Sequence, residues 1–147
     1  MHSITDVRVI ADVNDVVLVA GRFIFAVLFV FAGIEKFIDL PGTAAAISSK
    51  GMPLPQVLAV LTAALELGGG LLIIIGWQTR IAAMALALFT LVATYFYHDF
   101  WNMTSGEQSN NMIHALKNLS IFGGFLMLAA VGAGRYSIEG RSAVREK

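Results

Sequence analysis

Four long apolar stretches, at residues 16–38, 54–76, 81–98 and 113–133, take up most of this 147-residue chain. A helix needs about 20 predominantly apolar residues to cross the hydrocarbon core of a bilayer, and each stretch comes close to that length. The pattern predicts an all-α, integral membrane four-helix bundle in contact with the lipid bilayer. Composition agrees, since 57% of the residues are hydrophobic and only 14% charged, outside the range of ordinary soluble domains. The first fifteen residues carry Asp6, Asp12 and Asp15 and lack the basic start and small-residue cleavage site of a secretory signal. The first stretch is therefore expected to remain as a spanning helix.

A net charge of zero hides an asymmetry in the connections. Arg8, Arg22, Arg80, Arg135, Arg141, Arg145 and Lys147 fall on one side of a four-span arrangement, and the positive-inside rule makes that side cytoplasmic. Both termini are then cytoplasmic, with residues 1–15 as an N-terminal segment, 16–134 as the transmembrane domain and 135–147 as a tail. The first connection, "DLPGTAAAISSKGMPLP", holds all three prolines and has room for a short amphipathic turn. "GWQTR" permits only a tight hairpin, which makes the second and third spans antiparallel neighbours. "HDFWNMTSGEQSNN" reads as an exposed outer loop, and "RYSIEGRSAVREK" has too little apolar surface to fold alone. The glycines at 68–70 and 123–124 mark places where helices approach closely.

Ionisable residues within the spans carry the functional question, because each costs about 2.5 to 3.5 kcal/mol at the bilayer centre and less near the ends. Arg22 lies a turn or two inside the cytoplasmic boundary, where it can snorkel to lipid phosphates, and Arg80 sits in a connection; both are expected to be interfacial anchors. Glu35 and Lys36 are adjacent and point about 100° apart, so only one of them can face the bundle. Glu66 lies near the middle of the second span and cannot snorkel. It is expected to point inward, either protonated or paired with a cation. Lys117 is the nearest candidate by depth, with Arg22 as the alternative, and a pair that merely fixes helix register is the competing explanation.

His114, Lys117 and Asn118 share one face of the fourth span, and Thr94, Tyr95 and His98 one face of the third. With Glu66 and Lys36 these faces would enclose a polar pocket at the outer half of the bundle. Glu66 and His98 are the candidates for proton exchange with a bound carbonyl or hydroxyl group. Lys36, Tyr95, His114, Lys117 and Asn118 are the candidates for holding it. The chain has no cysteine, which removes disulfides, thiolate metal sites and dithiol chemistry of its own. Its three histidines have no paired spacing, no facing His pair is expected within the helices, and neither GxGxxG nor CxxCH is present, so no metal or covalently bound cofactor is expected.

Seven signatures occur in order: Arg22 with Gly33 and Lys36, then "GMPLP", "LELGGG", "GWQTR", "FYHDFW", "LKNLSIFGGFLML" and "GRYSIE". From about Gly21 to Glu139 the chain closely resembles the DoxX family of small bacterial inner-membrane proteins. The resemblance implies a multi-pass, four-helix protein of the inner membrane, often described as part of an oxidoreductase system. The family name comes from a relationship to the membrane subunit of a thiosulfate:quinone oxidoreductase, and other members are linked to thiol and oxidative-stress systems. Lys36, Glu66, His98, Lys117 and Asn118 stand at positions that match the family pattern.

The leading expectation is thus a quinone-interacting subunit or component of a membrane oxidoreductase system, acting with a redox partner protein, with a homo-oligomer also compatible and nucleic acid not expected. A non-enzymatic membrane adaptor or stress-response protein is the alternative. A small-molecule or proton transporter ranks third, since four short spans leave little room for alternating access.

Overall fold

The computed structural model describes residues 4–145, with side chains for residues 13–104 and 106–141. The chain runs through α1 (Ile4–Ile38), α2 (Leu40–Ser49), α3 (Pro55–Ile75), α4 (Thr79–Tyr97), a 3-10 turn (Phe100–Asn102), α5 (Ser105–Val131) and α6 (Ile138–Arg145). Among the described residues there is no strand, and four segments are long and apolar enough to cross a membrane: Val13–Ile38, Pro55–Ile75, Thr79–Asn102 and Gly106–Val131.

Two elements exceed the sequence expectation. The first connection holds a ten-residue helix, α2, started by Asp39, whose Oδ1 accepts the Gly42 N–H at 2.8 Å, and by Pro41 in the first turn. Its buried face, Ala44 and Ile47, packs against Ala59 of α3 in a small core of its own. The polar run expected to be an outer loop is helical from Ser105 onward, because Glu107 in the first turn favours the positive end of the helix. The Thr104 carbonyl also accepts from the N–H groups of Glu107 and Gln108. The tight hairpin forms as expected: Gly76 closes α3 at φ 70°, and the Leu72 carbonyl accepts from both Gly76 and Trp77.

Small residues set the packing of α1 on α3. The buried stripe of α3 runs Ala59, Ala63, Glu66, Gly70 and Ile73, alternate steps of three and four that keep one helical face. A Cβ on Gly33 would lie 2.8 Å from the Leu67 Cα, and one on Gly70 would lie 2.8 Å from Val30 Cγ2 and 3.1 Å from the Val30 nitrogen. Only glycine admits this approach. The opposed positions Gly33 and Leu67, Val30 and Gly70 define one antiparallel register. Of the other glycines, Gly69 meets Leu86 and Gly124 meets Phe25, whereas Gly68 and Gly123 face open space, so the expected close packing holds for only part of each run.

α1 pairs chiefly with α3, and α4 with α5. The two pairs join at the end that carries the termini, through the α3–α4 hairpin and a core of Ala26, Phe29, Ile73, Leu86 and Phe125. Phe125 of α5 lies 4.7 Å from Phe25 and 5.0 Å from Phe29, ring centre to ring centre, and these contacts bridge α5 to α1.

At the same end Arg22 departs from expectation. It is not an anchor reaching the lipid phosphates, since it is only 2% exposed. Its Nη1 donates to the Ile73 carbonyl at 3.3 Å and its Nη2 to the Tyr136 carbonyl at 2.8 Å. Ile73 O is one of the last four carbonyls of α3, which have no partner within the helix and attract a cation. Arg80 is exposed and serves the end of α5 in the same way, donating to the carbonyls of Ala129 and Val131.

The tail also folds back. The Glu139 N–H donates to the Gly76 carbonyl, Glu139 Oε1 accepts the first N–H of α4 from Thr79 at 3.2 Å, and the Arg135 N–H donates to Asp15 Oδ1.

Candidate functional site

The α1–α3 register has a direct chemical consequence. Lys36 lies one turn beyond Gly33 and Glu66 next to Leu67, so the crossing that Gly33 allows carries the ammonium to the carboxylate. Lys36 Nζ lies 2.6 Å from Glu66 Oε2, with side-chain exposures of 29% and 7%. This corrects the partner expected from depth: Lys117 is exposed on α5, and Arg22 is engaged elsewhere. Glu35, beside Lys36, faces outward.

No donor other than Lys36 reaches the Glu66 carboxylate among the described residues, and Oε2 has no further hydrogen-bond partner. An ionised carboxylate has about four acceptor positions and an ammonium three donors. The Glu66 carboxylate is therefore buried with acceptor positions unfilled, while the Lys36 side chain stays 29% exposed.

Both side chains face a cavity of about 550 Å³ between the two helix pairs. Its walls are mostly apolar, including Phe29 and Ala32 of α1, Phe89, Ala93 and Phe96 of α4 and Ile121 of α5. Thr43, Ala46 and Ile47 of α2, with Met52 after it, form the roof. The place of α2 at the site is not legible along the chain, because its contribution depends on how it folds back over α3.

His98 and Asn118 line the cavity as well. Asn118 Nδ2 donates to Thr94 Oγ1 at 2.9 Å, and the Thr94 hydroxyl donates to the Thr90 carbonyl at 2.6 Å. His98 Nδ1 lies 3.2 Å from Asn111 Oδ1, and Asn111 Nδ2 donates to the Glu107 carbonyl. That network assigns the Nδ1 proton to His98 as donor and leaves Nε2 free. The rings of His98 and His114 stack 5.0 Å apart and 11° from parallel, a pairing across α4 and α5 that spacing along the chain does not show. No cluster of three or more metal-binding side chains exists among the described residues.

Tyr95 does not join this group. It is 62% exposed and packs on Trp101 and Phe96. The face shared with His98 in an ideal helix ends early, because α4 stops at Tyr97 and His98 leaves helical geometry at φ −127°, ψ 47°. Tyr97 lines the cavity instead, with Lys50 Nζ 5.7 Å above its ring and 3.9 Å from Asp99 Oδ1. Lys117 falls outside for a related reason: neighbours on a helix diverge by about 100°, so turning Asn118 toward Thr94 turns Lys117 away. The structure thus brings Lys36, Glu66, His98 and Asn118 to one cavity, places His114 behind His98, and leaves Tyr95 and Lys117 outside.

Four spanning helices around a buried ion pair and a largely apolar cavity define a small multi-pass membrane protein with an internal site. Residues 17–99 match the DoxX family. The chain is 33% identical over 126 residues to the inner membrane protein YphA of Escherichia coli strain K12, covering 86% of this chain and 90% of that protein. It is 38% identical over 129 residues to the inner membrane protein YqjF of the same organism, covering 86% and 92%. The chain belongs to the DoxX family, and with two inner-membrane relatives of nearly its whole length it is a multi-pass inner-membrane protein. No solved structure matches it.

Proposed function

We propose that the cavity binds the head group of a quinone and that the protein is the quinone-interacting component of a membrane oxidoreductase system. The observation that carries this is the buried Lys36–Glu66 pair, which faces an apolar cavity with donors and acceptors to spare. A quinone is a flat apolar ring with an oxygen at each end. In the quinone form one oxygen accepts from the Lys36 ammonium; in the hydroquinone form that oxygen's hydroxyl donates to the Glu66 carboxylate and the other hydroxyl donates to His98 Nε2. Oxidation of the hydroquinone removes two electrons from the ring and one proton from each oxygen. Glu66 and His98 Nε2 take the two protons, and a redox partner protein takes the two electrons.

The basic residues Arg22, Arg80, Arg135 and Arg141 all belong to the terminus-bearing end, which supports cytoplasmic termini and a cavity in the outer half of the membrane.

The test is quantitative mass spectrometry of lipids extracted from the protein purified in mild detergent, with Glu66→Gln alongside. Stoichiometric quinone in the wild type and its loss from a folded variant are expected. Absence of quinone from both would sink the proposal, leave the pair as a device that fixes helix register, and make a membrane adaptor the better description.

A further inference from the structure

The cavity has two boundaries of different character, one toward water and one toward lipid. On the water side α2 covers it, and beside that roof Lys50 reaches across to Asp99 and the Tyr97 ring. On the lipid side lies the seam between α1 and α5. There Phe25, Phe29 and Phe125 close the part nearer the termini. Beyond Phe29, among the described residues, no hydrogen bond, ion pair or ring contact joins α1 to α5.

Leu28 stands at this seam. It lines the cavity and is also 53% exposed, and Asn118 and Ile121 of α5 line the same cavity. It lies ten residues before the end of α1 at Ile38, about 15 Å at 1.5 Å per residue, which is the middle of a hydrocarbon core about 30 Å thick. An opening at that depth leads into acyl chains. Whatever passes through it or rests in it must be apolar, because an unsatisfied polar group there is costly.

We infer that the ligand reaches the cavity sideways from the bilayer through the α1–α5 seam, and that it is a long-chain lipid quinone whose isoprenoid tail stays in that seam beside Leu28 and Ile121. This rests on the quinone head-group site proposed above and adds its ligand class and its route. The head group occupies the Lys36–Glu66 end, and the tail runs out to the lipid. A ligand of this shape never crosses the α2 roof, which accounts for a site open to hydrocarbon while its polar groups are shielded from water.

The experiment compares a long-chain quinone with a short-chain, water-soluble analogue, each titrated into the purified protein in vesicles. Wild type binds both. Leu28→Trp combined with Ile121→Trp fills the seam and is expected to keep the short-chain analogue while weakening the long-chain quinone by about tenfold or more, the effect of overpacking an apolar site. Leu88→Trp is the control, since Leu88 lies on α4, is 65% exposed and does not line the cavity; it should change neither. Equal behaviour of both ligands toward the double variant, or discrimination by Leu88→Trp instead, overturns the route. Failure of wild type to bind either quinone overturns the head-group site and the route with it.

A second measurement on the unaltered protein guards against a double variant that does not fold. A quinone carrying a diazirine on its first isoprene unit is photolysed in the wild type, and adducts are expected at residues 28–32 and 118–121. Adducts at Val92 or on α2 would overturn the proposal.

Discussion

Arg22 and Glu66 are both charged residues buried within spanning helices, and they end in opposite situations. The Arg22 guanidinium closes the terminal end, with Nη1 donating to the Ile73 carbonyl at the end of α3 and Nη2 to the Tyr136 carbonyl of the tail. Only its Nε lacks a partner. Glu66 sits where the helix pairs part, and one ammonium is all that answers its carboxylate. The difference separates structural from functional charge in a membrane. A buried ion that binds backbone carbonyls from two parts of the chain holds the fold together, whereas one beside a cavity with a single partner is suited to a ligand.

The largest expected effect tests the structural half. Arg22→Met removes the donor from the buried Ile73 carbonyl and the partly buried Tyr136 carbonyl and should lower stability in detergent by about 3 kcal/mol, read as a drop in unfolding temperature. Arg22→Lys should recover only part of that, because an ammonium lacks the planar fork that reaches Ile73 and Tyr136 together. Wild-type stability in Arg22→Met would mean that the contacts of Glu139 and Arg135 suffice to dock the tail.

Next comes Lys36→Met, which strands the Glu66 carboxylate. A loss of about 2 kcal/mol is expected, less than the roughly 3–5 kcal/mol for breaking a fully buried pair, because the Lys36 side chain keeps 29% exposure. Adding Glu66→Gln to Lys36→Met should restore most of the stability, and a double-mutant cycle measures the coupling. Glu66→Gln alone should unfold within about 1 kcal/mol of wild type, since an amide still accepts from Lys36. If Glu66→Gln proved the most damaging of these, the carboxylate would belong with Arg22 among the structural charges.

Much of this contrast was hidden in the sequence for particular physical reasons. The four spans were legible because apolar runs of bilayer length admit few alternatives, and the tight hairpin was legible from Gly76 and the few residues between spans. Glu66 was rightly singled out as unable to snorkel, yet its partner was sought by depth. The signal that finds Lys36 is the pair of close approaches at Gly33 and Gly70, which sets the antiparallel register and so the opposite number of every residue on α1. Arg22 was misplaced because snorkelling assumes open lipid beside the helix, while here the tail covers it through Tyr136. Tyr95 and Lys117 were misplaced because a shared helical face means little where the helix ends, or for a neighbour turned by 100°.

A smaller effect is expected at the tail. Glu139→Ala removes the acceptor for the Thr79 N–H at the start of α4, a cap supplied by a distant part of the chain, and should cost about 1 kcal/mol. Hydrogen exchange should report faster opening of the first turn of α4 with the cavity unaffected. Loss of quinone binding in this variant would show that the two ends of the bundle are coupled.

The smallest effect sharpens the comparison by holding the cation nearly constant. Lys50 has a side-chain exposure of 31%, close to the 29% of Lys36. Its partner differs: Asp99 lies 3.9 Å away with 29% of its side chain exposed, whereas Glu66 lies 2.6 Å from Lys36 with 7% exposed. Water screens the Lys50 pair and solvates Asp99 when the lysine is gone, so Lys50→Gln should change stability by less than about 0.5 kcal/mol. Lys36→Met should then exceed it severalfold, and the ratio of the two losses, measured by thermal unfolding under one set of conditions, isolates the burial of the carboxylate as the cause. A ratio near one would mean that water fills the cavity and screens Glu66 as it screens Asp99, and the contrast between a charge bound to backbone and one beside a cavity would lose its basis.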